Sequence, residues 1–267
     1  MYNFKIINKE KKMKNKKSIL ISVFLIIALS LLIGSIVIGQ AQEKKVYING
    51  IDPDFPPFAY IDKDGNPAGF DVESVDWIAK EMGFEVKHQP TAWDTIIPTL
   101  NAKKIDFIAS GLSLTEERAK VIAYTKPYFE HKWSLVVRSD SDLNIVTGLS
   151  LGHTVGVQRG TTGANWIDDN LIKNGVDVKI KVYDTFSLAI EDLLNGRIDS
   201  AVQDDTMVRE MLKQKSGLKE VVTWGSGNTY AYGLRKGDDE LLKLLNEGLD
   251  RLMKSPKWNE LITKYGL

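Results

Sequence analysis

Short apolar runs alternate with helix-period patterns from Val46 onward, and the alternation runs through twice. A chain of this kind buries its strands in mostly parallel sheets covered by helices, so it is expected to be an α/β protein of two similar halves. In the first half, residues 46–51 read as a strand and 62–67 as a turn. Asp71 can cap a helix carrying Val72, Val75, Ile78, Ala79 and Met82 on one face, stopped by Gly83. Residues 84–89 form the next strand, 94–103 a helix with Pro98 near its first turn, and 105–110 a strand. In the second half the order is a strand at 153–158, a helix at 163–172, a strand at 178–183 and an amphipathic helix on Phe186, Ala189, Ile190, Leu193 and Leu194.

The halves share a short echo. Leu194-Asn195-Gly196-Arg197-Ile198-Asp199 repeats Leu100-Asn101-Ala102-Lys103-Lys104-Ile105-Asp106 with one residue fewer. Each Ile-Asp opens a strand. Five residues past Asp106 is Gly111 and five past Asp199 is Asp204, so the two strands are expected to end at matching places, where open α/β sheets bind ligands. Two further strands, at 133–138 and 230–235, flank the second half. Leu241, Leu245, Leu249 and Leu252 then mark one helical stripe, and Trp258, Leu261 and Ile262 another. If this C-terminal piece packs on the first lobe, the chain crosses between lobes twice and forms a two-strand hinge. The expected division is 42–137 plus 231–267 for the first lobe and 138–230 for the second, with 139–142 as the boundary loop.

The N-terminus carries an address. Seven Lys precede an uncharged apolar run at 18–39, and Gly39-Gln40-Ala41 supplies the small residues a signal peptidase reads. Residues 1–41 are therefore expected to be a signal peptide cut after Ala41. Because the run exceeds the roughly 7 to 15 residues of an ordinary signal core, an uncleaved anchor is the rival. Either way the remainder lies outside the cytoplasmic membrane, which it would touch only through this segment. Beyond residue 41 the chain holds 28 basic against 34 acidic residues, a balance that argues against a nucleic-acid partner. The absence of Cys excludes disulfides, thiolate metal sites and thiol catalysis.

His88, His131 and His153 have no zinc spacing, and no phosphate-binding loop, dinucleotide fingerprint or serine-hydrolase elbow occurs. Asp62-Lys63-Asp64-Gly65 begins like a calcium loop but lacks the downstream Glu. No metal or cofactor is expected. More informative is Ser110-Gly111-Leu112-Ser113-Leu114-Thr115-Glu116-Glu117-Arg118, a strand end entering a helix capped by Ser113 or Thr115. Arg118 can grip a carboxylate there, or pair at the surface with Glu116 or Glu117. Gln158-Arg159-Gly160-Thr161-Thr162-Gly163 reads as a second anion-friendly concavity or as an ordinary glycine turn with a threonine cap. Asp204 can accept from an ammonium group or cap the following helix, with Asp205 competing for either role. Phe55 and Trp93 can sandwich a ligand side chain or join the core.

Phe55-Pro56-Pro57-Phe58, Gly65 with Gly69-Phe70-Asp71-Val72, Trp93-Asp94 through Ile97-Pro98, and Thr115-Glu116-Glu117-Arg118-Ala119-Lys120 stand in a series continued by Pro127-Tyr128-Phe129, Gly156-Val157-Gln158 and Gly196-Arg197-Ile198-Asp199. In this order they resemble the extracytoplasmic solute-binding proteins of polar amino-acid ABC transporters, the family of lysine/arginine/ornithine-, histidine- and glutamine-binding proteins. The resemblance implies the type II periplasmic-binding fold, two hinged α/β lobes closing over one L-amino acid, basic or polar, with permease and ATPase subunits as partners and a monomeric receptor. It implies that Arg118 holds the ligand α-carboxylate with Ser113 and the Thr162 backbone, and that Asp204 holds the α-ammonium beside Gly111 and Ser113. Phe55 and Trp93 would contact the side chain; Asp52, Ser110, Gln158 and Thr161 would line the rest. No catalytic residue is nominated. The alternatives are a membrane-anchored amino-acid sensor module and an enzyme resembling cyclohexadienyl dehydratase on the same fold.

Overall fold

The computed structural model describes residues 44–267; the expected signal peptide or anchor at 1–41 lies outside the described residues. Strand β1 (Val46–Ile51) leads into a small antiparallel sheet of β2 (Asp54–Phe55), β3 (Ala59–Ile61) and β4 (Pro67–Ala68), then helix α1 (Phe70–Met82) and β5 (Glu85–Pro90). A 3-10 turn at Trp93–Thr95 runs into α2 (Ile96–Asn101), followed by β6 (Phe107–Ile108), the single turn α3 (Glu116–Ala119) and β7 (Ala123–Tyr124). The second half runs β8 (Phe129–Arg138), α4 (Ile145–Gly148), β9 (Thr154–Gln158), α5 (Thr162–Asn170), β10 (Lys179–Tyr183), α6 (Phe186–Leu194), β11 (Ser200–Asp204), α7 (Asp205–Gln214) and β12 (Leu218–Tyr230). The chain then returns to the first half as β13 (Gly233–Leu234), α8 (Asp239–Lys254) and α9 (Pro256–Tyr265).

Two five-stranded sheets result, ordered β5-β1-β6-β13-β7 and β10-β9-β11-β8-β12. In each, three parallel strands are followed by one reversed strand, β13 or β8, and then by a strand restored to the common direction. The echoed Ile-Asp pairs explain the likeness chemically. Asp106 Oδ2 accepts from Ile48 N at 2.8 Å, and Asp199 Oδ2 accepts from Thr154 N at 2.8 Å, so each carboxylate fastens the start of the neighbouring parallel strand. Arg235 donates to the carbonyls of Leu100 and Ile105, as Arg138 does to those of Leu193 and Ile198. One motif therefore closes both lobes at their strand starts and leaves the opposite strand ends to meet.

The C-terminal leucine stripe packs against α1 and the first sheet. Leu241, Leu245, Leu249 and Leu252 are buried, each contributing roughly 1.5–3 kcal/mol of apolar transfer. Gly248 brings α8 against α1, where a methyl group in its place would collide with Ile78. The second lobe is filled by Leu135, Val155, Val157, Ile167 and Val202 in one cluster, and by α6 through Phe186, Ala189, Ile190 and Leu193.

Several expected boundaries move. Asp71 does not cap α1: Gly69 occupies the cap, and Asp71 is buried within the first turn. The strand expected at 105–110 pairs only at Phe107–Ile108, because side chains replace the ladder beyond it; Asn49 Oδ1 accepts from Ala109 N at 2.8 Å and Ser110 Oγ from Asp52 N at 2.9 Å. Residues 129–137, grouped with the first lobe on sequence, pair inside the second sheet. Ser139, in the expected boundary loop, bonds to Gly217 beside that same sheet. The strand expected at 230–235 is two strands, Tyr230 ending β12 in one sheet and Gly233 opening β13 in the other. The two crossings thus fall just before Phe129 and just after Tyr230.

Candidate functional site

The ends of β1, β6, β9 and β11 converge on one cleft of about 270 Å³. It is lined by Asp52, Phe55, Trp93, Ser110, Gly111, Ser113, Arg118, Gln158, Thr161, Thr162, Gln203 and Asp204. All eleven residues nominated from sequence are therefore brought together, with Gln203 added. Local backbone makes this possible. Gly111 sits at φ 57°, and any side chain there would strike the Phe55 ring, so only glycine lets β6 turn into the cleft wall. Ser113 pairs across the hinge with Tyr230, while Leu112 O and Thr229 O bond to Ala231 N and Leu114 N on either side.

At one end of the cleft lies Arg118. Thr115, not Ser113, caps the short α3, accepting from Arg118 N at 3.2 Å. The guanidinium reaches back to donate to Ser113 O at 3.0 Å and across to Gly160 O at 2.9 Å, under the Trp93 indole at 5.3 Å. Trp93 also donates to Gly160 O at 3.3 Å. Among the described residues Arg118 has no carboxylate partner within ion-pair distance, and burial pushes its pKa down, against the pull of Tyr124 and Asp204. Two of its five N–H groups are used in these bonds, leaving donors for an anion.

Asp204 occupies another wall. Its φ, ψ are those of a helix cap, yet its side chain makes no capping bond. Oδ2 accepts from Tyr230 OH at 2.6 Å, and Oδ1 is buried without a partner. Burial raises its pKa, opposed by His131, Tyr230 and Arg118. Asp205, outside this lining, accepts from Lys132 N at 3.0 Å and pairs with Arg209 at 2.7 Å.

Asp52, 2% exposed, accepts from Asp54 N at 3.0 Å and from Gln158 Nε2 at 2.9 Å. Burial nevertheless pushes its carboxyl up to about 6. Gln158 Oε1 accepts from Gln203 Nε2 at 3.0 Å, and Gln203 Oε1 from Asp204 N at 3.1 Å, so a chain of amides of fixed polarity runs from the Asp52 carboxylate to the Asp204 backbone. Behind the wall, Asp71 Oδ2 holds Gly111 N and Tyr128 OH, each at 2.7 Å, and burial carries this carboxyl to about 7. Thr161 caps α5, accepting from Ala164 N, and Thr162 Oγ1 accepts from Trp133 Nε1 at 3.1 Å.

Gln203 and His131 were not found from sequence. Successive strand residues point to opposite faces, which argues against Gln203 and Asp204 lining one cleft. The partners of His131 come from segments far away in the chain, Ser113, Asp204 and Tyr230.

A family model described as bacterial extracellular solute-binding proteins, family 3, matches residues 47–267. A probable histidine-binding protein of Neisseria gonorrhoeae is 32% identical over 230 residues, covering 84% of each chain. The lysine/arginine/ornithine-binding periplasmic protein of Escherichia coli is 32% identical over 251 residues, 90% of this chain and 95% of the relative. The solved structure of an ancestral arginine-binding protein bound to arginine superposes with a TM-score of 0.77 at 33% identity, covering 84% of this chain and 99% of the other.

Proposed function

The chain belongs to family 3 of the bacterial extracellular solute-binding proteins, and from this premise we propose that it binds one L-amino acid, basic or polar, between its lobes and delivers it to the permease and ATPase subunits of an ABC importer. The observation that carries this reading is a half-buried cation and a buried anion in one cleft, Arg118 with free donors and Asp204 with an unpartnered oxygen, neither neutralised by the other. Buried charges left so are costly unless a ligand completes them, and a zwitterion has the matching ends. Arg118 takes the α-carboxylate with the Thr161 to Thr162 turn. Asp204 and Ser113 take the α-ammonium.

The side chain then runs past Phe55 toward Asp52 and Gln158, whose carboxylate and amide suit a guanidinium, an ammonium or an amide. Names of the relatives, which bind histidine or lysine, arginine and ornithine, support the basic side of this choice.

The lobes divide at the two crossings, 45–128 plus 231–267 against 129–230. Gln158 to Asp52, Arg118 to Gly160 and Ser187 to Asp54 bridge them, so the arrangement is the closed one. A ligand touching both lobes favours closure because it meets all its partners only there. One chain supplies both walls, and a monomer suffices. Asp52 and Asp204 are committed to binding in this reading, which makes the protein a receptor and not a catalyst.

A thermal-shift series over the twenty amino acids plus ornithine and citrulline, on refolded protein freed of carried ligand, tests it. A ligand at a hundred times its Kd adds about 2.7 kcal/mol to stability. Shifts confined to a narrow set, and lost in Arg118→Ala, are expected; no shift for any amino acid in folded protein would overturn the proposal.

A further inference from the structure

Behind the ammonium end of the cleft stands His131 on β8, 3% exposed and assigned no role so far. Its ring stacks on Tyr230 at 4.2 Å and 13°. Nε2 lies 3.1 Å from Ser113 Oγ, and Nδ1 lies 3.4 Å from Asp204 Oδ2, the oxygen that already accepts from Tyr230. Ser113 and Asp204 line the cleft; His131 stands behind both.

The two neutral tautomers differ in what they offer these neighbours. With hydrogen on Nδ1, the ring sets a positive N–H edge 3.4 Å from a carboxylate oxygen, near enough for attraction though outside hydrogen-bond geometry, and leaves Nε2 to accept the Ser113 hydroxyl. With hydrogen on Nε2, a lone pair on Nδ1 faces the Asp204 carboxylate, which is repulsive, and Ser113 is free to turn its own hydrogen into the cleft. The carboxylate thus selects the first tautomer. Its consequence is carried through the ring to the serine: the hydroxyl hydrogen is spent on Nε2, and only lone pairs of Oγ remain for a ligand.

We propose that His131 is a positioning residue that makes Ser113 Oγ an acceptor, so that Ser113 and Asp204 Oδ1 form an acceptor-only corner that takes an α-ammonium group and discriminates against ligands lacking one. The proposal rests on the amino-acid reading for the nature of the ligand, but its proton arrangement does not. Tyr230 belongs to the same device, since its hydroxyl donates to Asp204 Oδ2 and its ring fixes the imidazole plane. It also assigns Ser113 to the ammonium and removes it from the carboxylate end, where only its backbone carbonyl meets Arg118.

Two measurements test this. The first is the imidazole nitrogen NMR spectrum of ligand-free, ¹⁵N-labelled protein, assigned with His131→Phe and read at the alkaline plateau of the shifts. A pyrrole-type Nδ1 with a pyridine-type Nε2 is expected, and the reverse pattern overturns the proposal. The second is calorimetric binding of L-arginine and of L-glutamine, each beside its analogue lacking the α-amino group, to wild type, His131→Phe and His131→Gln. The preference for the amino form should fall about tenfold in His131→Phe, which keeps the stack on Tyr230. Equal losses for both forms would mean a merely structural role and would also overturn the proposal. Should neither amino acid bind wild type, the receptor reading fails while the spectrum still decides the tautomer. Should His131→Phe not fold, His131→Gln and the wild-type spectrum, assigned through it, carry the test.

Discussion

Replacing Asp52 by Asn separates charge from shape at the distal end of the cleft. Burial lifts the Asp52 carboxyl from 3.8 to about 6 although it accepts two hydrogen bonds, so ionising it in this closed arrangement costs about 3 kcal/mol more than in water. A cationic side chain within ~4 Å offsets this by roughly 4 kcal/mol at an effective dielectric of 20. A cation beside Asp52 then holds it ionised, whereas the closed arrangement without that cation protonates it below about pH 6. Arginine affinity should therefore be flat above that pH and weaken about tenfold per unit below it, with a proton released on binding. A neutral ligand such as glutamine should lack this slope, apart from what Asp204 contributes to every amino acid. Calorimetry from pH 4.5 to 8 in two buffers of different ionisation enthalpy reads both affinity and proton release. In Asp52→Asn the arginine slope should vanish and its affinity at neutral pH fall by about 10²-fold, against less than about tenfold for glutamine. Equal losses for the two ligands, or an unchanged slope in the variant, would refute the reasoning. The sign for folding is the opposite one. A pKa raised in the folded state stabilises it fully below 3.8 and loses that contribution as pH rises through about 6, so Asp52 contributes less to the stability of the closed form at pH 7 than at pH 4.

Asp204→Asn should weaken every α-amino acid by about tenfold or more, from loss of a charge-assisted bond, with thermal unfolding of the empty protein as the control for folding. Unchanged affinity would return the ammonium role to Asp205. Asp54→Ala removes a contact made only between lobes, Ser187 Oγ to Asp54 Oδ1 at 2.7 Å, at the start of α6. An approximately threefold to tenfold rise in the ligand off-rate, with little change in on-rate, is expected in stopped-flow fluorescence; an unaltered off-rate would show that the contact does not hold the closed form. Gly248→Ala should lower stability by roughly 1–3 kcal/mol in denaturant titration by forcing α8 off Ile78, and leave ligand affinity unchanged.

Much of this architecture was readable because the repeated chemistry is local. The Ile-Asp echo works through each aspartate fastening the neighbouring strand, a bond set by one side chain and its own strand register. Site residues at strand ends and on glycine turns were legible for the same reason. What escaped depends on packing between distant segments. β12 runs thirteen residues, but its register shifts between Trp224 and Asn228, and Gly225 and Gly227 break any alternation. Asp71 looked like a cap because it opens a helix pattern; its actual partners, Gly111 and Tyr128, lie 40 and 57 residues away. His131 and Gln203 act through neighbours on other strands, and no spacing in the sequence records such a meeting.

The place of β13 between β6 and β7 sets an order of assembly. The first sheet lacks an inner strand until residues 233–234 arrive, and α1 lacks its cover until α8 follows. Residues 129–230, by contrast, hold every strand of their own sheet in one uninterrupted stretch. As the chain emerges from its N-terminus, the half that begins first must wait with its apolar edge unpaired while the half that begins second completes itself. The C-terminal segment then acts as a closing staple that completes the first sheet.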